Sequence, residues 1–228
     1  MEPQDEPDEA VRPQPVIVAE NLGVDGEHGP LFSGIDLLLG PGFHAVQMPA
    51  GPEQNALLLT LSGRLRPSRG RVTVMGATSP ARIRKHCAIA AFEGIDDLDE
   101  SVTVETVLAE QRRWLAPWYS PVPIQAGRDE LIQVFGEAHV PAPRTHIVEL
   151  SDLDLFLLRI TLALLSARPI LVVGDLEQVR DDPGRAIAAR RLGAVAEFYT
   201  VVVGVTNPLG DEAPGHTLHD RRILTGKD

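Results

Sequence analysis

Cysteine is almost absent from this chain: Cys87 stands alone in 228 residues, so no internal disulfide can form. That suits a reducing compartment, and Cys87 reads as a small buried core residue rather than a reactive thiol. Positive charge is scarce too, with 21 Lys and Arg against 32 Asp and Glu and a formal net charge of −11. Nucleic acid and anionic membrane surfaces both repel so acidic a protein, which argues against them as main partners. A membrane-spanning run is also missing. Residues 153–167 are nearly all apolar, but Arg159, Arg168 and Pro169 interrupt them well short of the roughly 20 residues a span needs. Residues 1–14 have almost nothing to bury, carrying Pro3, Pro7 and Pro13 among Glu2, Asp5, Glu6, Asp8 and Glu9. This predicts a disordered acidic tail, quite unlike the basic and apolar start of a signal peptide.

What is present is a hydrophobic content of 43%, enough for one compact domain with a sizeable core over residues 15–228. Short apolar runs at 16–19, 35–39, 44–47 and 72–75 predict strands in the first half, and 170–175 reads as a buried parallel strand ending in an acid. Helical periodicity covers 104–113 and 129–138, with helices also expected over 153–167 and 186–198 and a strand over 200–205. Trp114, Trp118 and Tyr119 fall in a proline-rich break between the first two helices. Two readings of that break stand: aromatic anchors for a partner, or a turn packed on its own helices. The positive charges between Arg64 and Lys85 are read as a solvated surface in preference to a patch that meets an acidic partner loop.

The chain is organised around 49–59, where a strand hands over to an apolar helix. Gly51-Pro52-Glu53-Gln54 is a good helix start, with Pro at the first helical position and an acid in the first turn, and Gly63 is a fitting stop. The same place in a phosphate-binding loop, GxxxxGK(S/T), needs glycines for converging amides, a Lys for the outer phosphates and a hydroxyl for magnesium. Those slots read Met48, Glu53, Gln54 and Asn55, followed by Ala56. The strand-to-helix frame is kept while its phosphate chemistry is absent. Glu53 brings its own carboxylate to a helix N-terminus that would otherwise attract phosphate.

From about Val16 to Thr225 the chain resembles the ATP-binding subunit of ABC transporters. The most specific match is 63–76, similar to the loop and strand after that family's phosphate helix. Val102-Thr103-Val104-Glu105 resembles the segment after its glutamine loop, and 159–173 the run from its signature helix to its Walker B strand. The resemblance implies an α/β fold of the P-loop NTPase kind, with an antiparallel β subdomain and a small helical subdomain at about 104–150. It also implies ATP and Mg as cofactors, a membrane-spanning transporter subunit or second cassette subunit as partner, dimer formation, and a cytoplasmic place at the inner face of the cell membrane.

Carried over position by position, the implied nucleotide site is Gly51, Glu53, Gln54, Asn55, Ala56, Glu93, Ser151, Asp175 and Asn207. Glu93 stands for the glutamine of its loop, amid acids that make either a metal-tuned or simply a hydrated segment. Ser151-Asp152-Leu153-Asp154 stands for the signature: the serine is kept, but both glycines and the glutamine are gone, and Ser151 with Asp154 reads as a capping box. Asp175 matches the Walker B aspartate that holds magnesium. Leu176 occupies the slot of the catalytic Glu, and Asn207 that of the switch His. His28 is the sole candidate for the adenine-stacking aromatic, and a Gly-rich turn residue is its plainer reading. The departures imply a degenerate cassette with no catalytic residue of its own, a non-catalytic or regulatory subunit beside a membrane transporter or an active cassette. Three other readings stand: a working ATP-binding subunit with substituted motifs and Glu177 as base, a stand-alone cytosolic interaction protein, and a cassette that has taken another small-molecule ligand.

Overall fold

The computed structural model describes residues 14–117, 119, 127–136, 140–210, 213 and 215–220. Nearly all of the acidic tail expected at 1–14, and Trp118, lie outside them. Strands β1 (Ile17–Gly26) and β2 (Gly29–Leu39) form an antiparallel hairpin whose two-residue turn holds Glu27 and an exposed His28, the turn reading of that histidine. Strand β4 (Arg69–Val74) pairs with the other edge of β1 to complete a three-stranded antiparallel sheet.

The second sheet has five parallel strands. In spatial order they are β5 (Cys87–Ala90), β6 (Ile170–Asp175), β7 (Thr200–Val205), β3 (Phe43–Gln47) and β8 (Thr217–Asp220). The continuous apolar runs of β6 and β7 fit strands buried on both faces. Side chains alternate across them: Leu171, Val173, Val201 and Val203 join a core under the helices α3 (Val104–Leu115), α4 (Arg128–Phe135), α5 (Asp152–Leu164) and α6 (Asp182–Val195). Ile170, Val172 and Val202 point the other way, into a core shared with α1 (Pro52–Leu61) and the antiparallel sheet. A short helix, α2 (Pro80–His86), leads into β5. No helix among the described residues is long and apolar enough to cross a membrane.

Local boundaries shift from the sequence expectation for identifiable reasons. Helix α3 runs through Trp114 to Leu115, so Trp114 belongs to its last turn and not to the proline-rich break. Helix α6 starts at Asp182 rather than 186, because Asp181 caps it by accepting the Gly184 amide at 2.7 Å and Pro183 suits its first turn. The expected solvated basic surface is only partly so. Arg64 and Arg168 donate to the Cys87 carbonyl at 3.2 and 3.0 Å, and Arg84 to that of Gly63 at 2.9 Å, so these cations bind carbonyls at the end of α1 and the start of β5.

Candidate functional site

Strand β3 ends at Gln47, and Met48 stays tied to the sheet through its amide, which donates to the Val205 carbonyl at 3.0 Å. The chain then turns at Gly51, whose φ of 125° and ψ of −155° are open to glycine and strained for other residues. Helix α1 follows with Pro52 in its first turn, as the sequence predicts, and Asn55 makes the first helical bond back to Gly51 at 3.1 Å.

The decisive side chain is Gln54. It is fully buried and turned back into the loop, where its Nε2 donates to the Met48 carbonyl at 3.1 Å. Its amide rests on Gly204 of β7, where an added Cβ would lie 2.7 Å from the Gln54 Cδ. Gly204 is in turn the register partner of Asp175. The Gln54 side chain therefore closes the loop on itself instead of extending toward solvent. Glu53 and Asn55 are half-buried in the same first turn and Ala56 is buried behind them, so no hydroxyl is offered at either following position.

Asp175 ends β6 half-buried, and burial pushes its carboxyl above the usual aspartate range; the Glu177 amide opposes that shift and the nearby Glu177 charge adds to it. Its Oδ1 accepts that amide at 3.0 Å, which makes Asp175 the cap of a single helical turn over Leu176–Gln178. Leu176 is buried at 2% exposure and presents no polar group. Glu177 reaches the exposed Asn207, accepting from its Nδ2 at 3.2 Å, while the other carboxylate oxygen pairs with Arg185 Nε at 3.3 Å. Both oxygens are thus engaged. Among the described residues no group of three His, Cys, Asp or Glu side chains is placed to hold a metal ion. With the cation slot folded inward and Asp175 capping a turn, these residues do not fit magnesium and a triphosphate as they stand.

Ser151 does cap α5: its Oγ accepts the Asp154 amide at 3.1 Å and lies 2.8 Å from the Asp154 carboxylate. Glu93 is exposed and lines a cleft of about 280 Å³ with Asp152, Arg159, Glu177 and Arg180. The structure thus gathers Glu93 and Glu177 around one cleft, joins Glu177 to Asn207, and links Gln54 to Asp175 only through Gly204.

Sequence reasoning missed the group that organises this region. Arg159, taken only as an interruption of an apolar helix, is 7% exposed and donates to Asp96 at 2.8 and 3.2 Å, to Asp97 at 2.9 Å, to Gln178 Oε1 at 3.2 Å and to the Phe92 carbonyl at 3.0 Å. The Asp96 carboxylate also accepts the Ala91 and Phe92 amides at 2.8 and 2.7 Å. The acidic loop around Glu93 is therefore pinned by an ion network, not merely hydrated. A lone arginine inside an apolar helix is the signal for it, since buried charge must be paired.

A five-stranded parallel sheet carrying α1 behind such a loop, beside a three-stranded antiparallel sheet and a set of helices, is matched among solved structures. A putative ABC transporter ATP-binding protein from Pyrococcus furiosus superposes with a TM-score of 0.71 at 18% identity over 91% of this chain and 98% of that one. The fold is that of an ABC-transporter ATP-binding cassette. A cassette from Clostridium perfringens that is part of an ABC transporter complex matches at a TM-score of 0.67 and 16% identity, covering 86% of this chain and 79% of that one. A dimeric cassette bound to ADP and Pi in a post-hydrolysis state matches at 0.66 and 14%, covering 84% and 88%. No family model matches this sequence, and neither does any curated protein. The cassette fold is thus shared with these structures at 14–18% sequence identity.

Proposed function

We propose that this cassette-fold protein is a non-catalytic or regulatory subunit that works through its shape, beside a membrane-spanning transporter subunit or an active cassette. The observation that carries this reading is Gln54, buried and bonded to Met48 where a phosphate-binding cation would have to reach outward. Loss of one transition-state contact typically costs about a hundred- to a thousand-fold in rate, and here the cation, the hydroxyl and the carboxylate at the Leu176 slot are absent together. Glu53 takes over part of the electrostatic role of a phosphate at the start of α1. Trp114 and Tyr119, 86% and 73% exposed, supply aromatic surface suited to a partner rather than a turn packed inward.

The test compares the wild-type chain with the variant Glu53→Gly, Gln54→Lys, Asn55→Ser, Ala56→Thr. Millimolar Mg-ATP should shift the wild-type melting temperature by less than about a degree, the behaviour of a ligand not far above its dissociation constant. The fourfold variant should gain ATP binding without hydrolysis, and turnover should require Leu176→Glu and Asn207→His in addition. A large wild-type shift at micromolar ATP refutes the proposal, as does hydrolysis by the fourfold variant alone.

A further inference from the structure

The helical part of the molecule holds a groove of about 560 Å³ that shares no residue with the phosphate-loop region. Its walls come from α3, α4 and the segment 140–144: Val104, Leu108 and Leu131 are buried in its floor, and Val140, Pro141 and Pro143 close one side. The side is held in place by the backbone, since the Val104 amide donates to the Thr145 carbonyl at 3.0 Å and the Glu105 amide to that of Pro143 at 2.9 Å. A preformed apolar hollow of this volume is in the range that takes a small ligand.

Its charged lining is the second observation. Arg128 and Arg144 are exposed at the groove, with Glu105 the one acid among the lining residues. Several arginines are paired, Arg69 with Asp25, Arg71 with Glu20, Arg112 with Glu130, Arg159 with Asp96 and Arg185 with Glu177; Arg66, Arg82 and Arg113 are not, among the described residues, but none of these lines the groove. Arg128 and Arg144 make no ion pair or side-chain hydrogen bond among the described residues. On a protein of net charge −11, two guanidinium groups lie beside the same apolar hollow. A guanidinium is suited to bidentate pairing with an oxyanion.

We propose that this groove binds a small anionic amphiphile, its apolar body against Val104, Leu108 and Leu131 and its carboxylate or sulfonate head on Arg128 and Arg144. A half-open groove of about 560 Å³ is the size of a single small molecule, and the two arginines at its rim match one anionic head group. Binding here is independent of nucleotide, because the lining residues take no part in the loop, the cap at Asp175 or the Arg159 network.

The test uses a matched pair of fluorescent probes on the full chain: 1-anilinonaphthalene-8-sulfonate and its uncharged parent, N-phenyl-1-naphthylamine. The sulfonate should bind at one saturable site and be displaced by decanoate. Arg128→Ala with Arg144→Ala should weaken it about tenfold or more, the loss expected for charge-assisted hydrogen bonds, and change the neutral probe less than about twofold. Both substitutions are on exposed side chains, so the fold should be retained, and an unchanged melting curve verifies it. Equal affinity for the two probes, an unaltered sulfonate affinity in the double variant, or no saturable binding overturns the proposal. Displacement by an acidic apolar peptide but not by decanoate overturns it as well, in favour of a protein partner.

Discussion

Replacing Arg159 by methionine tests how much of the cassette frame hangs on one buried cation. The substitution keeps an unbranched apolar stem of similar reach and removes the guanidinium from Asp96, Asp97, Gln178 and the Phe92 carbonyl. Removing one partner of a buried ion pair costs roughly 3–5 kcal/mol, because the other charge is left uncompensated. Here the carboxylate side chains keep 25% exposure at Asp96 and 59% at Asp97, so water recovers part of that loss. The expected cost is therefore about 2–4 kcal/mol, with Asp97→Asn contributing about 1 kcal/mol or less, as for an exposed pair. Urea denaturation followed by circular dichroism reads the difference at constant slope, and a chain of this size should melt about 4–16 °C lower. Asp96→Asn in the Arg159→Met background should not restore stability fully, since the Asp96 carboxylate also holds the Ala91 and Phe92 amides. A loss below about 1 kcal/mol in Arg159→Met would refute the view that the network is a stabilising clamp.

Two further outcomes are expected. His44 Nε2 donates to the Gly40 carbonyl at 2.9 Å, which leaves its Nδ1 to accept from His219 Nε2 at 3.2 Å, so the pair is built for neutral imidazoles. Burial lowers both, and with the adjacent His44 it takes His219 down to about 4, well below the usual histidine range. The unfolded chain then binds protons first as pH falls. Stability should be complete above about pH 6.5 and fall between there and pH 4 by about 2 kcal/mol, after allowance for the partial exposure of the ring. Acid titration of His219→Gln should lack that limb, and an identical limb would refute the assignment. Cys87, fully buried with its thiol pushed up to about 12, should resist a thiol reagent at pH 8 until the protein is unfolded, and rapid native labelling would contradict its place in the core.

The fold was legible where the pattern was long or the punctuation strong. β6 and β7 could be read because strands buried on both faces need continuous apolar runs, and the start of α1 because Gly51 and Pro52 fix it. β5 and α2 were not, since Cys87–Ala90 is only four residues, three of them small, and Pro80–His86 has a single buried side chain, Ile83. The capping role of Ser151 was readable from local spacing. The inward turn of Gln54 was not, because it depends on the space that Gly204 leaves on a strand some 150 residues away in sequence. The same holds for Arg159: its partners at 92–97 and 178 become neighbours only when β5 and β6 pair.

The alternation of side chains along β6 and β7 has a consequence for how the molecule comes apart. Because Ile170 and Val172 serve one core while Leu171 and Val173 serve the other, the two cores share a wall only one backbone thick. Neither can melt alone without stripping the strand of half its burial, so the layers should lose protection against hydrogen exchange together. The slowest amides should be those of β6 and β7, and the edge strands β5 and β8 should open first.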